Sequence, residues 1–370
     1  MAKPISVALV GVRRAAGFFS AFQTHPDTAI VALCDTNPDA LAEAGKAAQT
    51  EHLYTDYATM LDEAQPDAVL ISTPMHFHAG QAIAALQRDI HVLSEVTAAI
   101  SLDECRALVS AAGRSKAVYM MAENYCYMKS NALVREMVRR GLFGDVYYAE
   151  AEYIHADQHL QQQTPWRRVW HTGIDGITYP THSLGPVLQW MAGDRVARVS
   201  CEGSGHHVKD WSGRNFENSD SCVMLCKMVS GGLVKIRVDI VSERPHAMRN
   251  YQLQGTTGCY ESARSGQWQE RNRIWLASRS PDRNTWSDLS EFEDEFLPDF
   301  WRNAPAAAVQ AGHGGGDYFV VMDFADAIAA RKPVPIGIHE AMDMTIPGLI
   351  SQQSILQDGA WLNVPDTRLW

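Results

Sequence analysis

The beginning of the chain constrains the fold more than any other segment. A short apolar run at residues 6–10 breaks into Gly11, and a helix-like stretch continues to Gly17. A second apolar run at residues 30–34 ends in the carboxylate Asp35. A strand, a tight turn, a helix start and a second strand ending in an acid form the pattern that holds a dinucleotide. This order predicts a nucleotide-binding domain and indicates redox chemistry.

The glycine turn departs from the usual Gly-x-Gly-x-x-Gly pattern, because its order is Gly11-x-Arg13-x-x-Ala16. Ala16 preserves close packing of helix and strand, whereas Arg13 replaces the glycine that lets the backbone approach the phosphates. Arg13 either crowds the pyrophosphate or pairs with its oxygens, since a guanidinium suits bidentate phosphate contacts. Asp35 lies where a carboxylate accepts hydrogen bonds from a ribose 2′-hydroxyl, which favours NAD over NADP. The turn alone fits an ordinary strand–helix connection equally well.

Length and charge narrow the class of protein. The chain has 370 residues, of which 46% are hydrophobic, and its formal net charge is −11. At about 150 residues per domain, this length predicts two domains. The acidic balance offers no basic surface for nucleic acid or an anionic membrane, so a small molecule is the expected partner.

Two further absences in the sequence shape our expectations. No stretch reaches about 18 uninterrupted apolar residues and no signal-like segment precedes the first strand, which predicts a cytoplasmic protein. The seven cysteines include no Cys-x-x-Cys pair, which argues against a disulfide framework or a zinc site. We expect no metal ion.

Strand-like and helix-like segments alternate through the first third of the chain. This alternation predicts an α/β fold with a doubly wound parallel sheet, a Rossmann domain over residues 1–125. Ligands bind at the carboxyl ends of the strands in such a sheet. The residues expected there are Gly11, Asp35, Thr73, Pro74, Glu95, Glu123 and Asn124.

The pattern changes near residue 147 to longer alternating runs with few helices between them. The predicted strands cover residues 146–154, 197–203, 221–228, 232–241 and 251–255. They predict a C-terminal α+β domain over residues 126–370 with a large, open, mostly antiparallel sheet. Residues 274–307 predict a long loop, and residues 318–331 a helix. Because the open face of the sheet is costly to leave in water, we expect a homo-oligomer, a dimer or tetramer.

Together these features resemble the glucose-fructose oxidoreductase/inositol dehydrogenase (Gfo/Idh/MocA) family over essentially the whole chain. The resemblance rests on the N-terminal pattern, on Thr73-Pro74 followed by His78, on the acid Glu95 and on the open-sheet second domain. It implies an enzyme that acts on a sugar with a nicotinamide cofactor.

The catalytic positions of that family are only partly retained. Its dehydrogenases carry a lysine in Glu-Lys-Pro and an aspartate four residues before a histidine. Here the lysine position is Val96, the aspartate position is Thr178 and the histidine position is His182. A valine can neither stabilise a developing alkoxide nor move a proton. Two of the three catalytic side chains of a standard dehydrogenase are therefore missing.

One subgroup, the NAD-dependent α-N-acetylgalactosaminidases and their relatives, is more similar. Four shared motifs occur in the same order: Met121-Ala122-Glu123-Asn124-Tyr125-Cys126-Tyr127, Tyr179-Pro180-Thr181-His182-x-x-Gly185-Pro186, Arg244-Pro245 ahead of Gln254-Gly255-Thr256-x-Gly258, and Gly312-His313-Gly314-Gly315-x-Asp317-Tyr318. This sequence departs from the subgroup at Arg13, where a glycine is usual, and at His246, where a tyrosine is usual.

The resemblance implies a reaction with no net redox change. In that subgroup NAD⁺ takes a hydride from C3 of the sugar, which acidifies the proton on C2. A base removes that proton, the anomeric substituent leaves, water adds to the enone and NADH returns the hydride. This scheme implies tightly bound NAD, and it needs no pair of carboxylates across the scissile bond.

The resemblance also implies three sets of site residues. The catalytic candidates are His182, Tyr179 and Glu123. The substrate-binding candidates are His313, Asp317, Arg244 and His246. The cofactor-binding candidates are Gly11, Arg13, Ala16, Asp35, Thr73, Pro74, His78, Glu95 and Asn124. On a helix, a spacing of three residues would place His182 and Tyr179 on one face. Structural roles stay open: packed rings, a loop-capping Glu123, or Asp317 as a helix N-cap.

Three functions stay open at this point. The first is cleavage of a sugar glycoside through transient oxidation of the C3 hydroxyl. The second is net NAD(P)-dependent sugar dehydrogenation or keto-sugar reduction, in which NADH accumulates or is consumed. The third is a catalytically inactive nucleotide- or sugar-binding protein, in which Arg13 crowds the turn.

Overall fold

The N-terminal pattern forms a parallel sheet. In the computed structural model, which describes residues 3–156, 158–191, 193–245, 247–264 and 271–370, six strands pair in parallel. They are β1 (Ile5–Val10), β2 (Thr28–Cys34), β3 (Leu53–Tyr54), β4 (Ala68–Ile71), β5 (His91–Ser94) and β6 (Tyr119–Met121). Their order is β3-β2-β1-β4-β5-β6, so the chain reverses direction across the sheet between β1 and β4. The predicted doubly wound Rossmann sheet is confirmed.

Helices connect these strands and begin where the sequence supplies caps. They are α1 (Val12–Ala15), α2 (Phe19–Thr24), α3 (Pro38–Ala48), α4 (Tyr57–Ala64), α5 (His78–Leu86) and α6 (Leu102–Arg114), with 3-10 turns at Ala16–Phe18, Met75–Phe77 and Asn124–Tyr127. At α3 the Asn37 side chain accepts hydrogen bonds from two N–H groups of the first turn, and proline follows directly. Both features favour a helix start.

A second sheet, with nine strands among the described residues, confirms the predicted open, mostly antiparallel architecture. The strands are β7 (Val146–Ile154), β8 (Val196–Gly203), β9 (Cys222–Met228), β10 (Leu233–Asp239), β11 (Ala247–Gly255), β12 (Gly258–Glu261), β13 (Arg273–Leu276), β14 (Ser287–Asp288) and β15 (Leu362–Asn363). Their order is β14-β13-β12-β11-β7-β10-β9-β8-β15. The β7–β10 pair is parallel. Along β10, Val234, Ile236 and Val238 are buried while Lys235 and Arg237 are partly exposed, so one face is covered.

Helices and short turns complete this part of the chain. They are α7 (Lys129–Arg139), α8 (Gln158–Gln163), α9 (Thr181–Trp190), α10 (Glu293–Phe296) and α11 (Asp299–Arg302), with 3-10 turns at Pro165–Val169 and Leu289–Phe292. The long loop predicted at residues 274–307 instead contains β14 and several helical turns, one with a capping box between Asp288 and Glu291. Elements of two to four residues are too short to show a period, which explains the error.

The last helices are α12 (Ala306–Gln310), α13 (Gly316–Ile328) and α14 (Ile338–Ile355), with 3-10 turns at His313–Gly315 and Thr367–Leu369. The helix predicted at residues 318–331 is α13, which begins two residues earlier. It packs against α2 and against the turn Asn124–Tyr127. Within the described part of the chain, no helix has the length and apolar character to cross a membrane.

The chain divides into two units. The first unit comprises Met1–Met128, Ala304–Met342 and Asp366–Trp370, and the second comprises Lys129–Asn303 and Asp343–Pro365. The expected division into residues 1–125 and 126–370 differs from this one, because α12 and α13 return to the first unit. Each sheet belongs to one unit.

Candidate functional site

The turn after β1 has the backbone that its glycine predicts. Gly11 has φ +84°, in the left-handed region, and precedes the first residue of α1. A Cβ atom on Gly11 would lie 2.5 Å from the carbonyl oxygen of Ser72. The close approach of this turn to the end of β4 therefore requires glycine.

Asp35 lies at the end of β2 and supports the same turn. Its carboxylate accepts hydrogen bonds from the N–H of Val12 at 2.9 Å and from the N–H of Asn37 at 2.9 Å. A carboxylate has about four acceptor positions, so acceptor capacity remains for ribose hydroxyls. The turn at Gly11, the acid after β2 and the strand order fit a bound NAD.

The two arginines of α1, Arg13 and Arg14, differ in their surroundings. Arg13 is exposed, as is Ala16. Arg14 is held: its Nε lies 2.6 Å from Glu95 Oε1, its Nη atoms donate to both oxygens of Asp317, and its guanidinium lies 4.4 Å from the centre of the Phe18 ring. Sequence reasoning considered Arg13 and missed Arg14, because no local pattern links Arg14 to an acid about 300 residues away.

Asp317 is the centre of a polar cluster in the first unit. Besides Arg14, it accepts a hydrogen bond from Asn124 Nδ2 at 2.8 Å, and His313 Nδ1 lies 3.1 Å from each of its oxygens. Burial raises the pKa of Asp317, but the hydrogen bonds from His313 and Arg14 outweigh it and hold this pKa well below its ordinary value. Asp317 is not an N-cap, because Gly315 holds that position in α13.

The His78 side chain contacts the protein backbone. It is 1% exposed, and its ring nitrogens lie 2.8 Å from the carbonyl oxygens of Thr97 and Thr73. The ring therefore joins the segment after β4 to the segment after β5. Thr73 Oγ1 donates to Gln81, and Pro74 precedes the turn Met75–Phe77. This geometry favours an indirect role for His78 in cofactor binding.

Glu123 and Asn124 follow β6. Glu123 is fully buried, and its Oε1 accepts a hydrogen bond from the N–H of Tyr125 at 3.1 Å. This is the loop-capping contact that the sequence left open. The apolar Val96 is also buried in the first unit, so it supplies no proton-transfer group where the related dehydrogenases have lysine.

A second cluster, of histidine and tyrosine rings, lies in the second unit. The centres of the Tyr179 and His182 rings are 4.9 Å apart, edge to face. His182 lies in the first turn of α9, whereas Tyr179 precedes the helix. The two rings are neighbours, but they do not share a face of one helix, because Tyr179 lies before α9.

The structure adds residues that sequence reasoning missed. Tyr153, in β7, has its ring centre 5.1 Å from that of Tyr179 and 5.5 Å from that of His182. The ring centre of His171 also lies 5.1 Å from that of Tyr179. His155, two residues after Tyr153, has its ring centre 5.8 Å from the Tyr153 ring. The alternation of β7 was the available signal, because residues two apart share a face.

Three other residues of the second unit were considered from the sequence. Thr178 Oγ1 donates to the backbone oxygen of His171, so it makes a structural hydrogen bond where the related dehydrogenases have aspartate. Arg244 is exposed. His246 lies outside the described residues. Among the residues that are described, no group of three or more His, Cys, Asp or Glu side chains has the arrangement of a metal site.

Comparison with known families agrees with both halves of this description. Residues 127–368 match the family described as glycosyl hydrolase 109, C-terminal domain. Residues 5–123 match the oxidoreductase family with an NAD-binding Rossmann fold. The first match alone spans more than half of the chain.

Individual relatives match most of this chain. A glycosyl hydrolase family 109 protein of Saccharopolyspora erythraea is 29% identical over 98% of this chain and 83% of the relative. A protein of Shewanella oneidensis named alpha-N-acetylgalactosaminidase is 28% identical over 84% of this chain and 71% of that protein.

Solved structures show the same fold. Levoglucosan dehydrogenase in complex with NADH and levoglucosan has a TM-score of 0.78 at 18% identity, covering 98% of this chain and 100% of that one. The WlbA dehydrogenase of Bordetella pertussis, in complex with NADH and UDP-GlcNAcA, has a TM-score of 0.77 at 20% identity, covering 98% of each chain. The chain is thus an enzyme of the glycosyl hydrolase 109 family, in which a Gfo/Idh/MocA-type NAD-binding Rossmann domain is combined with the glycosyl hydrolase 109 C-terminal domain.

Proposed function

We propose that this enzyme cleaves a glycoside through transient oxidation of the sugar C3 hydroxyl by tightly bound NAD, without net redox change. The observation that carries the proposal is the ring cluster of His182, Tyr179, Tyr153 and His171. The name of the Shewanella oneidensis relative supports a glycoside as the substrate class.

The cofactor supplies one function: when bound, NAD accepts a hydride from C3 and later returns it. Gly11 and Asp35 are the residues best arranged to hold it, because the first permits the tight turn and the second retains acceptor capacity for ribose. Arg13 is exposed on the same turn and is the candidate for contact with a phosphate oxygen.

His182 is our candidate base for the C3 hydroxyl. Loss of hydride from C3 requires removal of the hydroxyl proton, and a ring nitrogen of a neutral histidine can take it near neutral pH. With Val96 at the position of the usual lysine, no ammonium from that position helps the developing alkoxide. The imidazole therefore carries more of this task here than in a lysine-containing dehydrogenase.

Tyr179 and Glu123 are the candidates for the other two proton transfers. A tyrosine has an ordinary pKa of about 10, so its hydroxyl is a weak base unless a cation stabilises the phenolate. Arg167 Nη1 lies 3.3 Å from His171 Nδ1, and the His171 ring packs against Tyr179. The Arg167 guanidinium therefore contacts His171, which in turn contacts Tyr179. Tyr179 is our candidate for the base that removes the C2 proton. Glu123 is the candidate acid for the leaving group.

Two measurements test the proposal. Mass spectrometry of small molecules released from denatured protein is expected to find NAD near one equivalent. Turnover of aryl glycosides in deuterated water is expected to place deuterium on C2 of the product, because that proton is removed and replaced, while NADH does not accumulate.

Other outcomes would redirect or end the proposal. NADH accumulating in step with a keto-sugar product indicates a net dehydrogenase. Protein that carries no nucleotide, turns over no glycoside and causes no change in NAD absorbance with sugars contradicts both enzymatic candidates. The dimer or tetramer expected through the open face of the second sheet stays a prediction, which light scattering of the purified protein tests.

A further inference from the structure

Protein donors occupy the hydrogen-bond acceptor positions of the Asp317 carboxylate. Arg14 donates to its two oxygens at 2.9 and 2.8 Å, and Asn124 donates at 2.8 Å. His313 Nδ1 lies at 3.1 Å from both oxygens. A carboxylate has about four acceptor positions, and these contacts take them up. With its side chain 1% exposed, Asp317 is poorly suited to bind a sugar hydroxyl.

The glycines around Asp317 make room for this arrangement. A Cβ on Gly312 would lie 2.5 Å from Asp317 Oδ2, and a Cβ on Gly316 would lie 2.3 Å from the backbone oxygen of Asn124. Gly17, in the turn after β1, would place a Cβ 2.7 Å from Arg14 Nη1. Such contacts are far shorter than van der Waals distances, so a side chain at these positions displaces the cluster. The glycine-rich segment at residues 312–316 thus has a packing reason for its composition.

Two of the donors to Asp317 come from segments that follow strands. Arg14 lies in α1, just after the turn that follows β1, and Asn124 follows Glu123 after β6. Arg14 also contacts Glu95, which follows β5. One buried carboxylate on α13 therefore connects segments at the carboxyl edge of the sheet, where the cofactor binds in this fold.

We propose that Asp317 is a positioning residue that holds the cofactor turn, through Arg14, and the Glu123–Asn124 segment, through Asn124, in their working positions. This inference rests on the proposed function, which assigns NAD binding to the turn at Gly11 and acid catalysis to Glu123. It replaces the direct contact with substrate that the sequence suggested for Asp317. The bidentate pair with Arg14 is central, because two parallel hydrogen bonds to one buried carboxylate fix the orientation of the guanidinium.

The test uses Asp317→Asn with Asp323→Asn as its matched control. Asp323 lies on the same helix, α13, and its carboxylate pairs with Lys332 at the surface. Two quantities are measured on the full chain. The first is the dissociation constant for NAD, by calorimetry after the bound nucleotide has been removed. The second is hydrogen exchange of the backbone amides at residues 11–17 and 123–127.

For Asp317→Asn we expect faster exchange in both segments and a dissociation constant for NAD raised about tenfold or more, the scale of a lost charge-assisted hydrogen bond. For Asp323→Asn we expect neither change. Unchanged exchange in both segments together with wild-type affinity overturns the inference. So does a uniform rise of exchange across the whole first unit, which indicates a purely stabilising residue.

Arg14→Lys keeps the inference testable if Asp317→Asn does not fold. Lysine keeps a cation beside Asp317 but cannot form the two-point contact. We expect faster exchange at residues 11–17, unchanged exchange at residues 123–127 and weaker NAD binding. If exchange in both segments is the same in Arg14→Lys as in the wild type, the inference is contradicted. Wild-type protein that binds no NAD contradicts the proposed function instead, while the exchange comparison still tests the positioning role.

Discussion

At the scale of single residues, three acidic or basic side chains of the first unit are hydrogen-bonded to other protein groups. Glu123 caps a turn, His78 joins two backbone segments, and Asp317 pairs with Arg14. Each of these residues has chemistry that suits a catalyst, and each already has protein partners. In the second unit, the rings of Tyr179 and His182 pack edge to face.

The first prediction concerns His182. His182→Gln is expected to lower kcat/KM for a glycoside by about 10²–10⁴-fold, the usual contribution of a general base, and to leave the dissociation constant for NAD within about twofold. His159→Gln is the control, since His159 is exposed on α8. Kinetics and calorimetry on both variants check this. Wild-type turnover in His182→Gln would remove the imidazole from the mechanism.

The second prediction concerns acid stability. Because hydrogen bonds from His313 and Arg14 lower the pKa of Asp317 in the folded protein, the unfolded chain binds the proton more readily. The ionised Asp317 and its hydrogen bonds therefore stabilise the fold above the ordinary aspartate pKa of about 3.9. This stabilisation is lost as the pH falls below that value.

Urea unfolding at several pH values from 7 to 3 measures the effect. Asp317→Asn is expected to lose about 1.5–3 kcal/mol at pH 7, the scale for hydrogen bonds to a charged group. The difference from wild type is expected to shrink as the pH falls. A difference that is constant with pH would mean that ionisation of Asp317 does not stabilise the fold.

At the scale of elements, the turn between β1 and α1 is set by backbone geometry. Gly11 combines a positive φ with a close approach to Ser72. Its N–H also donates to the carbonyl of Cys34 in β2, so the turn is tied to two neighbouring strands. Such a turn tolerates a changed side chain at Arg13 but not a Cβ at Gly11.

The third prediction compares two glycine substitutions of opposite expected sign. Gly11→Ala is expected to destabilise the protein by about 3 kcal/mol or more, because the left-handed backbone costs about 1–2 kcal/mol and the clash with Ser72 adds to it. Gly80→Ala, within α5, meets no atom within 4 Å and is expected to stabilise by about 0.5–1 kcal/mol. Thermal and urea unfolding of both variants check this, and equal effects would contradict the geometry of the turn.

At the scale of the whole molecule, the chain leaves the first unit at residue 128 and returns to it at residue 304. The returning helix α13 is mostly buried, with Val320, Val321 and Phe324 in the core. An N-terminal fragment without it would expose the surfaces of α2 and of the turn Asn124–Tyr127.

The fourth prediction follows from this connection. A fragment of residues 1–128 is expected to unfold at a lower temperature than the same fragment joined by a flexible linker to residues 304–342, because α13 covers apolar surface. Circular dichroism and binding of a hydrophobic dye compare the two. Equal melting temperatures would show that α13 adds nothing to the first unit.

Local patterns were sufficient for most elements. The strand β7 has the predicted bounds, and α13 covers most of the helix predicted at residues 318–331. Short strands such as β3 and β14 were missed, because two residues show no alternation. The pairing of Tyr179 with His182 was predicted for the wrong reason, since the contact forms across a helix start rather than along a helix.

The sequence by itself determined the two sheets, their strand directions, the glycine turn and the family, because these depend on periodicity and on motifs a few residues long. Tertiary structure alone decided which charged groups meet. Arg14 and Asp317 are 303 positions apart, and no local pattern predicts their contact. Whether a carboxylate binds substrate or holds the protein together depends on its neighbours in space, and those are set by the packing of distant segments.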